Sequence, residues 1–131
     1  MKTESNFLFT YGTLMQRFDN EYARLLRLSA NFIETGSLPG RMYRIDWYPG
    51  VIYEENSPKR VFGEIYKLNS DRDLLRKLDE YEDIQDDISS SLYQRKVIPI
   101  TLESGKSLDC WVYLYNQSIF GLKEILSGRF Y

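Results

Sequence analysis

Two short segments of the chain carry residue types that could do chemistry. The first is a glycine turn that directly follows a β-rich run, Tyr11-Gly12-Thr13-Leu14-Met15-Gln16. Gly12 allows consecutive backbone N–H groups to converge on one side, and such donors attract a carboxylate or an oxyanion that develops on a carbonyl. The alternative is an ordinary strand-to-helix turn, since glycine turns are common.

The second segment is acidic: from Leu78 through Gln94 there are six acidic residues and no basic one. Glu82 follows Tyr81 and lies four residues after Leu78, which places it nearest the apolar face of a predicted helix. The helix dipole and the acidic neighbours both favour the protonated carboxyl and raise its pKa. Such a group can take up and return a proton near neutrality. The alternative is a solvated helix end followed by an acidic loop.

Other polar and aromatic residues compete with these segments for a functional role. Glu64 shares a predicted strand face with Phe62, Tyr66 and Leu68, and we expect it to be a hydrogen-bonded or edge-strand structural glutamate. Most of the 11 tyrosines should pack with their hydroxyls toward water, while one or two line a polar pocket. Tyr93, on the C-terminal hairpin, is a candidate substrate-binding residue. We expect packing roles for Cys110, Trp111, Tyr113 and Tyr115.

The composition excludes several classes of mechanism. The 131 residues contain no histidine and one cysteine, which rules out Ser-His-Asp and Cys-His catalysis, histidine metal sites and an internal disulfide. A net charge of -2 argues against nucleic-acid binding. With no apolar run of membrane-spanning length and no secretory segment in residues 1–6, we expect a cytoplasmic protein without membrane contact. No metal or cofactor is required by these residues.

Alternating and helical periodicities predict the elements that must position the two segments. Strands are predicted at 7–11, 32–37, 41–47, 51–53, 61–68, 93–103 and 108–115, with a loop at 54–59 and turns at 38–40, 48–51 and 104–105. Pro99 predicts an edge or bulge in its strand. Helices are predicted from an Asp19 N-cap to Ser29, from a capping box at 70–73 to about Glu82, and around 122–126.

These elements predict one α+β domain, a small mixed and partly antiparallel β-barrel of about six strands with two or three flanking helices. The hairpin formed by strands 93–103 and 108–115 makes the sheet at least partly antiparallel. Neither a dinucleotide-binding glycine motif nor a phosphate-binding loop is present, which argues against a doubly wound nucleotide-binding fold.

Taken in order, several segments resemble the gamma-glutamylcyclotransferase-like family. They are Tyr11-Gly12-Thr13-Leu14, Leu38-Pro39-Gly40-Arg41-Met42-Tyr43, Trp47-Tyr48-Pro49-Gly50, 61–66, Leu78-Asp79-Glu80-Tyr81-Glu82, 92–95 and 111–113. The resemblance implies a mixed barrel, a substrate-binding loop at 11–16 and Glu82 as the catalytic acid–base. Asp83 stands where many members have glycine. The tryptophan of the glutathione-specific branch is missing, which disfavours glutathione as the substrate.

The reaction implied by the resemblance releases a γ-glutamyl group as 5-oxoproline through attack by the substrate's own α-amine. Glu82 would move the protons, and the N–H groups of residues 12–15 would hold either the oxyanion or the α-carboxylate. The substrate would be a small γ-glutamyl compound with an unspecified leaving amine, and the oligomeric state is open. The alternative function is a non-catalytic module on the same fold that binds a small molecule or a partner.

Overall fold

Seven strands and two helices make up the part of the chain that the computed structural model describes, residues 4–69, 73–82 and 88–130. In chain order they are β1 (Phe7–Thr10), α1 (Glu21–Ser29), β2 (Ala30–Arg44), β3 (Pro49–Tyr53), β4 (Arg60–Leu68), α2 (Asp73–Tyr81), β5 (Tyr93–Leu102), β6 (Ser107–Tyr115) and β7 (Lys123–Glu124), with a 3₁₀ turn at Ile88–Ser90.

Five of the strands close into a barrel in the order β2-β4-β1-β6-β5, with β5 returning to β2. The β1–β6 pairing is parallel and the others are antiparallel, which confirms the predicted small mixed barrel. Closure occurs where Gly36 and Ser37 of β2 pair with Leu102 and Thr101 of β5. A Cβ at Gly36 would lie 2.9 Å from the Thr101 carbonyl oxygen, so glycine allows this approach.

The two strands predicted at 32–37 and 41–47 are one strand, β2, and the turn predicted at 38–40 is wrong. The first part of β2, through Pro39, pairs with β4, and the part from Gly40 onward pairs with β3. A Cβ at Gly40 would lie 2.2 Å from the Ile52 carbonyl oxygen. The Pro-Gly pair therefore marks the point where the strand changes partner and requires a close backbone approach.

The next turn is displaced from its predicted position at 48–51. The N–H groups of Ile45 and Asp46 donate to the Tyr48 carbonyl oxygen at 3.0 and 3.2 Å, so the hairpin turns before Pro49. Pro49 and Gly50 are the first residues of β3 and pair with Arg44 and Tyr43. The strand predicted to reach residue 47 therefore ends at Arg44.

Both predicted helices near the site are present. Asn20, rather than Asp19, caps α1, because its Oδ1 accepts the Ala23 N–H at 2.8 Å. The helix ends at Ser29 as predicted. For α2, the Ser70 end of the predicted capping box lies outside the described residues. After the last residue of α2, the Glu82 N–H still donates to the Leu78 carbonyl oxygen at 2.9 Å, close to the predicted end.

The β5–β6 hairpin is confirmed, with continuous pairing from Tyr93 and Tyr115 to Thr101 and Ser107. Pro99 sits in this ladder without a bulge, at a point where β2 does not pair with β5. The helix predicted around 122–126 is wrong, since β7 pairs there with Tyr43 and Arg44. A short isolated helix is marginal, whereas β7 satisfies the open edge of β2.

The apolar side chains form two layers. One fills the barrel and includes Phe9, Leu38, Val61, Ile65 and Phe130. The other lies between the sheet and the helices and includes Leu8, Leu26, Tyr66, Leu78 and Tyr113. Among the described helices, none is long and apolar enough to cross a membrane.

Candidate active site

A cavity of about 420 Å³ opens where the glycine turn, the end of α2 and the β2–β3 hairpin meet. Its lining brings together predicted site residues that are far apart in the chain: Tyr11, Gly12, Thr13, Glu82 and Tyr93. Its other lining residues are Phe9, Thr10, Trp47, Tyr48, Pro49, Tyr81, Leu92 and Tyr113.

Three residues of the predicted loop do not line this cavity. Leu14 is buried under the helices, and Met15 is buried in the barrel core. Gln16 is exposed, and its N–H donates to Glu64 Oε1 at 2.8 Å. The loop therefore presents only its first half to the cavity.

Glu82 is the charged residue of the described lining. Burial raises the pKa of its carboxyl to about 8, and the negative charge of Asp79 adds to the shift. The raised pKa agrees with the sequence analysis, but burial is the larger cause and the helix dipole is not needed. Near neutral pH such a carboxyl exchanges its proton readily.

Asp79, one turn before Glu82, is held by groups from the C-terminal hairpin. Arg95 donates to both of its carboxylate oxygens, at 2.8 and 3.1 Å, and the Tyr113 hydroxyl donates at 2.7 Å. The Arg95 guanidinium also lies 4.2 Å from the Trp111 ring centroid. This cation is therefore committed to Asp79, which fixes the last turn of α2 on the sheet.

The backbone donors of the glycine turn are fewer than predicted. The Met15 N–H donates to the Gly12 carbonyl oxygen at 3.1 Å, and the Gln16 N–H is used by Glu64. Within the described residues, no hydrogen bond uses the N–H of Gly12 or Thr13, and both residues line the cavity. These two N–H groups are the donors that the turn can offer to a ligand.

The backbone of Gly12 does not have a positive φ, so its conformation does not explain why glycine stands here. A Cβ at this position would lie 3.0 Å from Pro49 Cγ. The close approach of the turn to β3 therefore favours glycine.

Two hydrogen bonds tie Thr13 to both helices. Asn20 Nδ2 donates to the Thr13 carbonyl oxygen at 2.8 Å, and the hydroxyls of Thr13 and Tyr81 are hydrogen-bonded at 2.5 Å. Tyr81 directly precedes Glu82, so this tether fixes the glycine turn relative to the carboxyl. The sequence analysis assigned no role to Asn20. Its position beside a predicted helix start was the available signal.

Two tyrosines of the cavity, Tyr11 and Tyr93, use their hydroxyl protons within the protein. Tyr11 donates to the Tyr113 carbonyl oxygen at 2.5 Å, and Tyr93 donates to the Pro49 carbonyl oxygen. Burial is the largest cause that raises the pKa of both phenols, and each is raised further by Glu82. Both hydroxyls therefore stay protonated. A backbone hydrogen bond from Val51 also acts on the Tyr11 oxygen, whereas the Tyr93 oxygen can still accept a hydrogen bond.

The residues given packing roles lie outside the cavity or form its wall. Glu64 accepts from the Gln16 N–H and from the Tyr66 hydroxyl at 3.0 Å, which confirms its structural role. Cys110 is buried in the barrel core. Trp111 stacks with Arg95, and Tyr115 packs on Tyr93 with ring centroids 5.9 Å apart. Tyr113 both packs and lines the cavity.

Trp47, Tyr48 and Leu92 line the cavity without having been predicted as site residues. Trp47 was predicted at the end of a strand and Tyr48 at the start of the displaced turn, whereas both lie in the observed turn that precedes β3. Leu92 precedes β5. No cluster of three or more carboxylate or thiol groups that could hold a metal ion occurs in the described parts of the chain.

Comparison with protein families agrees with the resemblance. The family model described as gamma-glutamyl cyclotransferase, AIG2-like, matches residues 8–131. The chain belongs to this family.

Two relatives support the same membership, and a solved structure shares the fold. The chain is similar to a protein of Methanocaldococcus jannaschii that is provisionally named a gamma-glutamylcyclotransferase, with 31% identity over 86% of each chain. It is also similar to gamma-glutamylaminecyclotransferase A of Danio rerio, with 30% identity over 86% of this chain and 70% of the relative. The crystal structure of YkqA from Bacillus subtilis shares the fold, with a TM-score of 0.70 at 21% identity. The match covers 97% of this chain but only 40% of the YkqA chain.

Proposed function

We propose that the cavity catalyses cleavage of a γ-glutamyl amide, with release of 5-oxoproline and a free amine. The observation that carries this proposal is the meeting of Glu82, whose pKa is raised to about 8, with the glycine turn in one cavity. Membership in the gamma-glutamyl cyclotransferase, AIG2-like family supports it.

The polarity of the cavity suits the α-carbon end of a γ-glutamyl group. On one side, the oxygens of Tyr93 and Glu82 can accept hydrogen bonds, which suits an ammonium or amine. On the other side, the N–H groups of Gly12 and Thr13 donate, which suits an α-carboxylate or a developing oxyanion. We propose that the α-amine lies beside Glu82 and that the negative oxygen lies at the turn.

The chemistry then needs two proton transfers through one carboxyl. The substrate's α-ammonium first loses its proton to solvent, and the neutral amine attacks the γ-carbonyl carbon to form a tetrahedral oxyanion whose attacking nitrogen is positively charged. Ionised Glu82 takes a proton from this nitrogen, and protonated Glu82 then passes that proton to the leaving nitrogen. The C–N bond then breaks, which yields the five-membered lactam and the amine.

Intramolecular attack explains how a chain without histidine can cleave an amide. Fixing the reacting groups of one molecule in an attack geometry can supply on the order of 7–11 kcal/mol of the barrier. The protein has to fold the γ-glutamyl arm, hold its ends and relay protons.

The test is mass-spectrometric detection of 5-oxoproline from a panel of γ-glutamyl amides, with wild type, Glu82→Gln and Glu80→Gln. Glu80 is exposed on the same helix, so Glu80→Gln is a matched control for removal of one carboxylate. We expect wild type and Glu80→Gln to release 5-oxoproline and Glu82→Gln to lose at least about a hundredfold in kcat.

Two outcomes would contradict the proposal. Equal turnover by wild type and Glu82→Gln would remove Glu82 from the proton transfers. Binding of γ-glutamyl amides without any product from wild type would favour the non-catalytic binding module.

A further inference from the structure

Asp79 and Arg95 form an ion pair that does not line the active-site cavity. Each of the two side chains keeps 23% of its surface exposed. Both residues line a separate cavity of about 740 Å³, which they share with Trp111. Neither group is therefore placed to touch a substrate beside Glu82, and any effect of the pair on the proposed reaction must act through another residue.

The C-terminal hairpin holds this pair in a fixed geometry. The Arg95 guanidinium donates to both Asp79 oxygens and lies over the Trp111 ring. The Tyr113 hydroxyl donates to Oδ1 of Asp79, the oxygen that also accepts the Arg95 Nε–H. Arg95 and Tyr113 are directly paired in the β5–β6 ladder. The charge of Asp79 therefore has a defined position relative to the sheet.

Glu82 is the carboxyl that the pair can influence. It follows Asp79 by three residues, and its N–H donates to the Leu78 carbonyl oxygen, which continues the helical turn. Side chains with this spacing are neighbours, with Cβ atoms about 5–6 Å apart. After burial, the negative charge of Asp79 is the cause that raises the pKa of Glu82. A charged Asp79 opposes ionisation of Glu82, and the opposite charge of Arg95 reduces that opposition.

The other titratable groups that line the cavity with Glu82 are phenols, which are uncharged at neutral pH. They come from the glycine turn, the β2–β3 turn, α2 and the C-terminal hairpin: Tyr11, Tyr48, Tyr81, Tyr93 and Tyr113. Burial is the largest cause that raises the pKa of four of them, Tyr11, Tyr81, Tyr93 and Tyr113. Helix α1 presents the Tyr22 ring, which packs on Tyr81. No lysine or arginine occurs in the described lining, and Glu80 of α2 is exposed and screened by water.

We propose that Arg95 is a positioning residue of the proposed reaction, which neutralises Asp79 and holds it on the sheet so that Glu82 can lose and regain a proton near neutral pH. The inference rests on the proposed function, in which ionised Glu82 takes a proton from the attacking nitrogen. The hairpin thus acts on the carboxyl at the end of α2 without contacting the substrate.

Opposite charge changes in the pair test the proposal through the pH profile of kcat/KM, measured with the γ-glutamyl amide that wild type cleaves fastest. The rate should rise with pH as Glu82 ionises. Arg95→Met leaves the Asp79 charge without its cation, so the midpoint of the rise should move up by about one pH unit. Asp79→Asn leaves the Arg95 cation without its carboxylate, so the midpoint should move down by about one pH unit. The substrate's amine titrates identically with every variant, so the differences in midpoint come from the protein.

Two further variants separate the charge of Arg95 from its structural support. Arg95→Lys keeps the positive charge and should keep the midpoint close to that of wild type, although loss of the bidentate contact lowers kcat/KM. Arg76→Met is the control for removal of a cation, because Arg76 pairs with Asp73 on α2 with 68% of its side chain exposed. Its midpoint should equal that of wild type. Lower kcat/KM in Arg95→Met and Asp79→Asn without opposite shifts of the midpoint would overturn the proposal, because a structural pair alone gives that result.

Carboxyl ¹³C NMR titration of the substrate-free protein separates this inference from the proposed function. The Glu82 signal is identified by its loss in Glu82→Gln, and it should titrate at higher pH in Arg95→Met and at lower pH in Asp79→Asn than in wild type. If wild type releases no 5-oxoproline from any γ-glutamyl amide, the proposed reaction fails, while these opposite shifts still support control of Glu82 by the pair. Equal titration of Glu82 in all three proteins would overturn the inference whether or not turnover occurs. If Arg95→Met does not fold, the downward shift in Asp79→Asn decides the proposal.

Discussion

At the scale of single residues, Glu82 illustrates how one carboxyl can be useful for chemistry and costly for folding. Burial raises its pKa from 4.5 to about 8. Below pH 4.5 the carboxyl is protonated in both the folded and the unfolded chain, so ionisation does not affect stability. As pH rises toward 8, the unfolded chain releases the proton and the folded chain keeps it, which favours unfolding.

We therefore predict that Glu82→Gln stabilises the protein at high pH. The gain in free energy of unfolding should be near zero at pH 4 and reach about 2 to 4 kcal/mol at pH 9, since the site is partly open to solvent. Thermal denaturation at pH 4, 6 and 9 measures it. Glu80→Gln should show no comparable trend, and an equal gain of Glu82→Gln at pH 4 and pH 9 would refute the burial argument.

The tyrosine oxygens could not be assigned from sequence. Tyr11 and Tyr93 were both candidates for substrate binding, but a sequence does not say which carbonyl takes a hydroxyl proton. The partners are Tyr113 and Pro49, which are remote in the chain. Only this pairing commits both hydroxyl protons and leaves the Tyr93 oxygen as a hydrogen-bond acceptor.

At the scale of elements, the site depends on the tether between the glycine turn and α2. The Thr13 and Tyr81 hydroxyls join these elements, and Asn20 joins the turn to α1. Among the described residues, the hydroxyl pair is the side-chain hydrogen bond that joins the turn directly to α2.

We predict that Thr13→Val and Tyr81→Phe each lower kcat/KM for 5-oxoproline release by roughly tenfold, because misplacement of reacting groups is expensive. The free energy of unfolding should fall by about 1 kcal/mol in each. The double variant should lose little more than either single variant, since both remove one interaction. Tyr22→Phe is the control, because the Tyr22 ring packs on Tyr81 at 4.7 Å and its hydroxyl is not part of the tether. Additive losses would contradict a shared tether.

The sequence patterns predicted the helices and strands well where interactions between residues close in the chain determine the structure. The apolar spacing of the helices and the alternation in β4 and β6 were sufficient, although the N-cap of α1 is Asn20 and not Asp19. They failed where a distant strand decides the outcome. Pro39-Gly40 has the chemistry of a turn, but pairing with Lys59, Arg60 and Tyr53 keeps it extended. The segment 122–126 has apolar residues at helical spacing, but within it β7 pairs with the edge of β2.

At the scale of the whole molecule, barrel closure depends on the contact of Gly36 with β5. A Cβ there would meet the Thr101 carbonyl oxygen at 2.9 Å and the side chains of Ile100 and Ile65 at 3.0 Å. The molecule has little freedom to relax at this point, because Gly36 also pairs with Gly63 of β4.

We predict that Gly36→Val destabilises the protein by about 1 to 3 kcal/mol or more, since added volume must displace backbone in a packed barrel. The midpoint of urea denaturation measures the loss. Thr101→Val is the control. This side chain is exposed, so exchanging its hydroxyl for a methyl group should change the free energy of unfolding by no more than about 0.5 kcal/mol. An unchanged midpoint in Gly36→Val would contradict this argument, because it would show that β2 and β5 can move apart here at little cost.

The parallel pairing of Leu8 with Trp111 has a consequence for synthesis on the ribosome. The floor of the cavity includes Tyr11 from the start of the chain and Tyr113 from near its end, joined by a hydrogen bond. A growing chain therefore lacks the complete cavity until β6 has emerged from the ribosome. Non-local closure of this kind also slows folding, because the two ends of the chain must meet before the barrel is complete.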